Sequence, residues 1–247
     1  MGITCLIPFY NERERISQVL EVITTIHAVT QVLCIDDGST DGTAELIHRH
    51  CAGAEVVRLP YNKGKAAAIR FGLKYVRQEH VLLMDADLQD INKKELVAAI
   101  EAYTSHAAAI DMLILRRINA PWFVKWYRSD ILLSGERLLR KYDLAQALLH
   151  PIKCYQLEVA INRYMLHHKK VVRWMPWSAI NTYKVDKLGV IDGSRKEFKM
   201  YVDIVSYVGF AHMMLQLASF TKRLRHERQQ KGYSNLKKQL ALLTFKR

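Results

Sequence analysis

Short apolar runs alternate with helix-length amphipathic stretches through the first half of the chain. Ile3-Thr4-Cys5-Leu6-Ile7-Pro8 reads as a buried strand that the proline ends. Asn11-Glu12-Arg13-Glu14 then opens a helix, with Asn11 as its cap and acidic residues in its first turn. Val32-Leu33-Cys34-Ile35 is a second buried strand. The turn Asp36-Asp37-Gly38-Ser39-Thr40-Asp41-Gly42-Thr43 leads into a helix ending near His50. Glu55-Val56-Val57-Arg58-Leu59 reads as a third strand. Asn62-Lys63-Gly64-Lys65 leads into a helix over 66–76, and Val81-Leu82-Leu83-Met84 is a fourth strand. Strands separated by single helices predict an α/β fold with a mostly parallel sheet and right-handed crossovers.

In such a sheet, ligands bind beyond the carboxyl ends of the strands. Three polar loops fall at that edge: residues 8–12, 36–43 and 85–90. Taken singly, each also reads as an ordinary turn or helix cap, because Asp, Gly, Asn and Ser favour both. Their convergence on one edge is what points to chemistry. Asp36 and Asp37 are adjacent acids with no basic neighbour in sequence, an expensive arrangement unless something binds them. Lys63 and Lys65 stand at a helix start, where cations oppose the macrodipole unless an anion lies between them and the helix end. Asp85-Ala86-Asp87 places two carboxylates in a turn after a buried strand, so that both can reach one hard cation.

Bulk composition narrows the partners. The chain has 247 residues and a formal net charge of +13, which calls for an anionic partner. Nucleic acid is not expected: no zinc-finger or aromatic RNA-binding motif accompanies the charge, and clustered aspartates at a sheet edge would go unexplained. A phosphorylation receiver domain also clusters aspartates, but does not suit the 62–65 segment or the basic tail. Cys5, Cys34, Cys51 and Cys154 are scattered, without metal-type pairing, which suits a reducing cytoplasm. Met1 leads straight into a strand, so no signal peptide is expected.

Four motifs in order carry a resemblance: Ile7-Pro8-Phe9-Tyr10-Asn11-Glu12; Asp36 through Thr43; Asn62-Lys63-Gly64-Lys65 with Ala68-Ile69 and Gly72; and Asp85-Ala86-Asp87-Leu88-Gln89. Together they resemble the family 2 glycosyltransferases, with the dolichyl- and polyprenyl-phosphate mannosyl- and glucosyltransferases as the nearest branch. The likeness is strong over 1–120 and weaker over 120–185. It implies a GT-A fold, with a Rossmann-like mostly parallel sheet flanked by helices, and a nucleotide-diphosphate-sugar donor. On that analogy Pro8, Tyr10 and Glu12 line the nucleoside pocket, with Asp36 and Asp37 near the base or ribose and Lys65 on the donor. Asp85 and Asp87 match the family's D-x-D motif and would hold Mg²⁺ or Mn²⁺ against the diphosphate, with Ala86 and Gln89 beside it. Arg117 matches a strand-ending arginine that contacts phosphate. With Asp87 it is the implied catalytic pair.

The acceptor side is less regular. Ser134-Gly135-Glu136-Arg137 resembles the family's Ser-Gly-Phe-Arg element, with Glu136 in place of the aromatic. Arg128, Ser134, Glu158, Lys187 and Arg195 are the acceptor-side candidates. Glu158 and Asp130 are the carboxylates available as a base if the acceptor is a hydroxyl; a phosphate acceptor needs none. The expected division is a catalytic domain over 1–185 and an appendage over 186–247, comprising an acceptor loop and a basic amphipathic helical tail. Residues 201–220 are mostly apolar, with Asp203, Ser206, Gly209, His212, Gln216 and Ser219 forming a narrow polar stripe. That pattern suits a helix lying in a membrane interface or packed on the domain. The basic run from Lys222 to Arg228 suits an anionic cytoplasmic leaflet. Two readings stay open. One is a transferase peripheral to the cytoplasmic face of a membrane, acting on a lipid phosphate; the other is a soluble transferase acting on a saccharide or small hydroxyl compound.

Overall fold

The computed structural model describes residues 1–119, 129–149, 152, 157–181, 215–216 and 218–224. Strand β1 (Ile3–Phe9) is followed by α1 (Ile16–Ile23), β2 (Val29–Asp36), α2 (Thr43–His50), β3 (Ala54–Arg58), α3 (Lys65–Gly72) and β4 (His80–Leu83). This is the strand–helix alternation expected from the apolar runs. There follow β5 (Leu88–Gln89), α4 (Lys93–Ser105), β6 (Met112–Arg117), α5 (Ser129–Leu132), β7 (Arg137–Arg140), α6 (Lys141–Ala147), α7 (Leu157–His167), β8 (Val172–Trp177) and β9 (Ile180–Asn181).

Among the described residues a seven-stranded sheet runs in the order β3-β2-β1-β4-β7-β6-β8, while β5 pairs with β9. Strands β1 to β4 are mutually parallel, as are β6 and β8; β7 inserts antiparallel between β4 and β6. The carboxyl ends of β1, β2, β3, β4, β6 and β8 therefore share one edge. One apolar layer packs α1, α2 and α4 on one face; a second packs α3, α6 and α7 on the other. Gly72 belongs to the second layer by necessity, because a Cβ there would stand 2.6 Å from Ile35 Cγ1.

Three local departures have physical causes. Pro8 lies within β1 instead of ending it. Leu6 turns its carbonyl toward Met84, so Pro8, two residues on, faces the same side after β4 pairing has ended, where no partner needs its missing N–H. The first helix starts at Ile16, and Asn11 does not cap it. Asn11 has φ +56°, its Oδ1 accepts the Thr40 N–H at 2.9 Å and its own N–H donates to Ser39 Oγ at 3.0 Å. It ties one loop to the next. The third helix stops at Gly72, short of residue 76.

Part of the C-terminal region packs on the sheet. Gln216 and Phe220 are buried, and the Leu224 N–H donates to the Trp174 carbonyl at 2.9 Å. The guanidinium groups of Arg116 and Arg223 lie 4.9 Å and 5.7 Å from the ring centre of Trp174. Among the described residues no helix is long and apolar enough to cross a membrane. Arg128, Lys187 and Arg195 lie outside the described residues.

Candidate active site at the carboxyl edge

A cavity of about 300 Å³ opens at the carboxyl edge of β1, β2 and β4. Pro8, Tyr10, Glu12, Asp37, Lys65, Asp85, Ala86 and Asp87, all expected from the sequence, line it together with Asn62 and Gly64. The other donor-side candidates lie apart from that lining. Asp36 is fully buried, Gln89 is exposed in β5, and Arg117 ends β6.

The adjacent acids find partners within the fold, although Asp36 Oδ2 accepts no hydrogen bond. Register places Asp36 opposite Arg58, and the Asp36 carboxylate lies 3.1 Å from Arg58 Nε while its Oδ1 accepts the Ser39 N–H at 2.7 Å. The absence of a basic neighbour in sequence was thus no guide to its surroundings. Asp37 accepts the N–H groups of Lys63 and Gly64 at 2.8 Å each. It closes the backbone leading into α3, whose own N-cap residue is Gly64, with φ +88° and no side chain to do so. An aspartate from β2's loop thereby sets where α3 starts and how it faces the cavity.

Lys65, the first residue of α3, joins the two halves of the site. Its Nζ lies 2.6 Å from Asp85 Oδ1 and 2.8 Å from Glu158 Oε1. Burial alone would lower its pKa, but the Asp85 and Glu158 carboxylates outweigh that and hold the ammonium well above its ordinary range. Glu158, an acceptor-side candidate on α7, is thus brought to Lys65, a lining residue of the donor cavity, from 93 residues away. At the mouth, Glu12 pairs with Arg15 at 2.6 Å. The hydrogen bond from Glu12 and the nearby negative charges, Asp87 among them, raise the Arg15 pKa.

Behind Asp85 stands the segment 134–137. Gly135 is required there, because a Cβ would meet Asp85 Oδ2 at 2.6 Å. Ser134 is fully buried; its hydroxyl oxygen lies 2.6 Å from the Leu115 carbonyl and 2.9 Å from the Glu136 carboxyl, and its single proton can go to one of them at a time. It fixes the backbone and does not line the cavity. Glu136, read from the sequence only as a replaced aromatic, is fully buried, with Oε1 lacking a hydrogen-bond partner. Burial first, and the Asp85 carboxylate next, push its carboxyl up, against the pull of Arg117 and Lys65. Arg117 is close enough to Glu136 to act on its charge, and it is not among the residues lining the cavity. Arg137 is fully buried and its pKa is lowered by desolvation to about 10.

Four carboxylates line the cavity, those of Glu12, Asp37, Asp85 and Asp87; the last two share the turn after β4. Among the described residues no group of three or more His, Cys, Asp or Glu is placed to hold a metal. That donor set fits a hard divalent cation taking its remaining oxygens from a phosphorylated ligand and water, rather than a metal caged by protein alone.

A family model described as glycosyl transferase family 2 matches residues 4–172. The poly-beta-1,6-N-acetyl-D-glucosamine synthase of Staphylococcus aureus is 38% identical over 89 residues, covering 35% of this chain and 22% of that protein. The chain spans about a fifth of the length of that relative. An uncharacterized glycosyltransferase of Synechocystis is 32% identical over 95 residues, covering 36% of this chain and 30% of its own. Among solved structures, glucosyl-3-phosphoglycerate synthase of Mycobacterium tuberculosis, in complex with Mn²⁺, uridine diphosphate and phosphoglyceric acid, superposes with a TM-score of 0.64 at 19% identity, over 84% of this chain and 78% of that one. Mannosyl-3-phosphoglycerate synthase of Rubrobacter xylanophilus gives a TM-score of 0.61 at 16% identity, over 84% and 73%. These structures share the GT-A fold of the present chain. With the family model matching well over half its length, the chain belongs to glycosyl transferase family 2.

Proposed function

We propose that the cavity binds a nucleotide-diphosphate sugar and that the enzyme transfers the sugar with inversion, by direct attack of the acceptor on the anomeric carbon. The observation that carries this reading is the convergence of Asp85, Asp87 and Lys65 in one cavity at the carboxyl edge. Asp87 and Asp85 would hold Mg²⁺ or Mn²⁺. Such a cation neutralises the charge that builds on a departing nucleoside diphosphate. Pro8, Tyr10 and Glu12 line the nucleoside end. Asp37 keeps the start of α3 in place, and Lys65 fixes the Asp85 carboxylate within the cavity. A manganese-and-nucleotide complex of a GT-A neighbour supports the same assignment by analogy.

The acceptor we favour is a lipid phosphate, of the polyprenyl type, met at the cytoplasmic face of a membrane. The apolar stretch over 201–220 and the basic residues that follow support this, and the division into a catalytic domain over 1–185 and a membrane-associating tail goes with it, the tail being anchored on the domain through Gln216 and Phe220. A phosphate acceptor already carries its nucleophilic oxygen ionised. One observation favours a second reading, in which the acceptor is a hydroxyl: Glu158 stands at the Lys65 end of the cavity, where a carboxylate can take the proton. The structural neighbours include enzymes named for synthesis of phosphoglycerate glycosides.

The test is release of nucleoside diphosphate from UDP-, GDP- and dTDP-sugars with Mn²⁺ or Mg²⁺, with and without polyprenyl phosphate in vesicles. Turnover stimulated by the lipid supports the first reading. Turnover with a soluble hydroxyl compound and none with the lipid supports the second. No release with any nucleotide sugar would refute the transferase.

A further inference from the structure

A polar chain runs from the C-terminal segment to Glu158, the partner of the cavity-lining Lys65. Gln216 is 1% exposed and lies beyond residue 172, where the family match ends. Its Oε1 accepts from Asn162 Nδ2 at 3.2 Å. Asn162 Oδ1 accepts from Arg137 Nη1 at 2.6 Å, and the same nitrogen donates to the Glu158 carbonyl at 3.2 Å. Arg137 is itself pinned, donating from Nε to the Ser134 carbonyl at 2.7 Å and from Nη2 to the Leu132 carbonyl at 2.8 Å. One turn before Asn162 on the same helix, Glu158 meets Lys65.

The apolar face of α7 buries Leu157, Ile161 and Met165. Close packing of these side chains, with Val159 and Ala160 also buried, fixes which face of α7 turns inward. Hydrogen bonds are directional, and in a desolvated setting a broken one leaves a buried group unpaired. Asn162, which also donates to the Leu132 carbonyl at 3.0 Å, therefore adds a directional restraint to the rotation of α7, and with it to the direction of Glu158. Gln216 in turn is held by apolar and backbone anchoring of its own segment: Phe220 is buried, and Trp174 Nε1 donates to the Thr221 carbonyl at 3.1 Å.

We propose that Gln216 and Arg137 are positioning residues of the transfer site: through Asn162 they restrain the rotation of α7 and hold the Glu158 carboxylate against Lys65, which makes the C-terminal segment part of the catalytic unit. The proposal rests on the transferase reading for its kinetic consequence, and on geometry alone for the coupling.

Two measurements on the full chain test it. The first is amide hydrogen exchange of Gln216→Met. Exchange across α7 rises about tenfold while α2, on the opposite face, keeps its wild-type rate. Unchanged exchange in α7, or an equal rise in α2, overturns the coupling. The second is hydrolysis of UDP-glucose and GDP-mannose with Mn²⁺, followed in a double-mutant cycle. Gln216→Met lowers kcat about tenfold and leaves the donor KM within about twofold, whereas in a Glu158→Gln background it costs less than about twofold. Equal losses in both backgrounds overturn the proposal and make Gln216 a packing residue. Absence of turnover with either sugar counts against the transferase reading, and the exchange measurement then decides the coupling by itself.

Discussion

Lys65 and Asp85 form an ion pair of 2.6 Å that joins the start of α3 to the acidic turn after β4. The pair belongs to the donor cavity, and the same ammonium carries Glu158. Lys65→Met removes the charge but keeps the length of the stem. It leaves Asp85 and Glu158 facing one another uncompensated, and it should lower turnover by about 100-fold, since misplaced groups cost that much when reacting geometry is lost. Steady-state kinetics of nucleoside diphosphate release check this; turnover within a few-fold of wild type would remove Lys65 from the site.

Asp37 has a structural duty that its position beside the cavity conceals. Asp37→Ala leaves the Lys63 and Gly64 N–H groups without their acceptor and should destabilise the fold by about 2–4 kcal/mol, as expected for losing a buried charged acceptor of two hydrogen bonds. Asp37→Asn keeps one carbonyl acceptor and should lose less. Urea unfolding followed by circular dichroism measures both, and equal midpoints for wild type and Asp37→Ala would contradict the capping role.

Glu136 makes stability depend on pH in a defined sense. Its carboxyl is raised above the ordinary 4.5 by burial and by Asp85. The folded state therefore binds a proton more readily than the unfolded chain. The stability this gives is fully present below 4.5 and is lost as pH rises through the folded value. Glu136→Gln mimics the protonated form and should remove this component. Its unfolding midpoint should exceed that of wild type increasingly as pH rises from acid toward neutral. A midpoint difference independent of pH would count against it.

The alternating strands and helices were legible because buried parallel strands are written as unbroken apolar runs and their loops as polar clusters. Most of the cavity lining was legible too, since Pro8, Tyr10, Glu12, Asp37, Lys65, Asp85 and Asp87 all sit in those loops. What escaped was set by pairing across long distances. Arg58 reaches Asp36 only through the register of β3 on β2. Glu158 reaches Lys65 only because the fold brings the first turn of α7 to the first residue of α3. Strand β7 carries Arg137 and Arg140 where a buried strand would be apolar, so its sequence looks like a loop, and the charges make sense only once Asn162 and the Leu132 carbonyl are in place. Asn11 has the composition of a cap, yet a tertiary partner, Thr40, takes its side chain. Gln216 fell within the polar stripe read along 201–220; its partner there is Asn162.

The central claim is that Asp85 and Asp87 hold a divalent cation together with a nucleoside diphosphate. Calorimetric titration of UDP, GDP and dTDP into the full chain, with Mn²⁺ and with chelator, tests it most directly, with Asp87→Ala as the paired variant. One nucleotide should bind with Mn²⁺, and its affinity should fall by at least about 2 kcal/mol with chelator or in Asp87→Ala, as expected when a charged interaction is lost. Equal affinity in the presence of chelator, or undiminished Mn²⁺-dependent binding by Asp87→Ala, would contradict it.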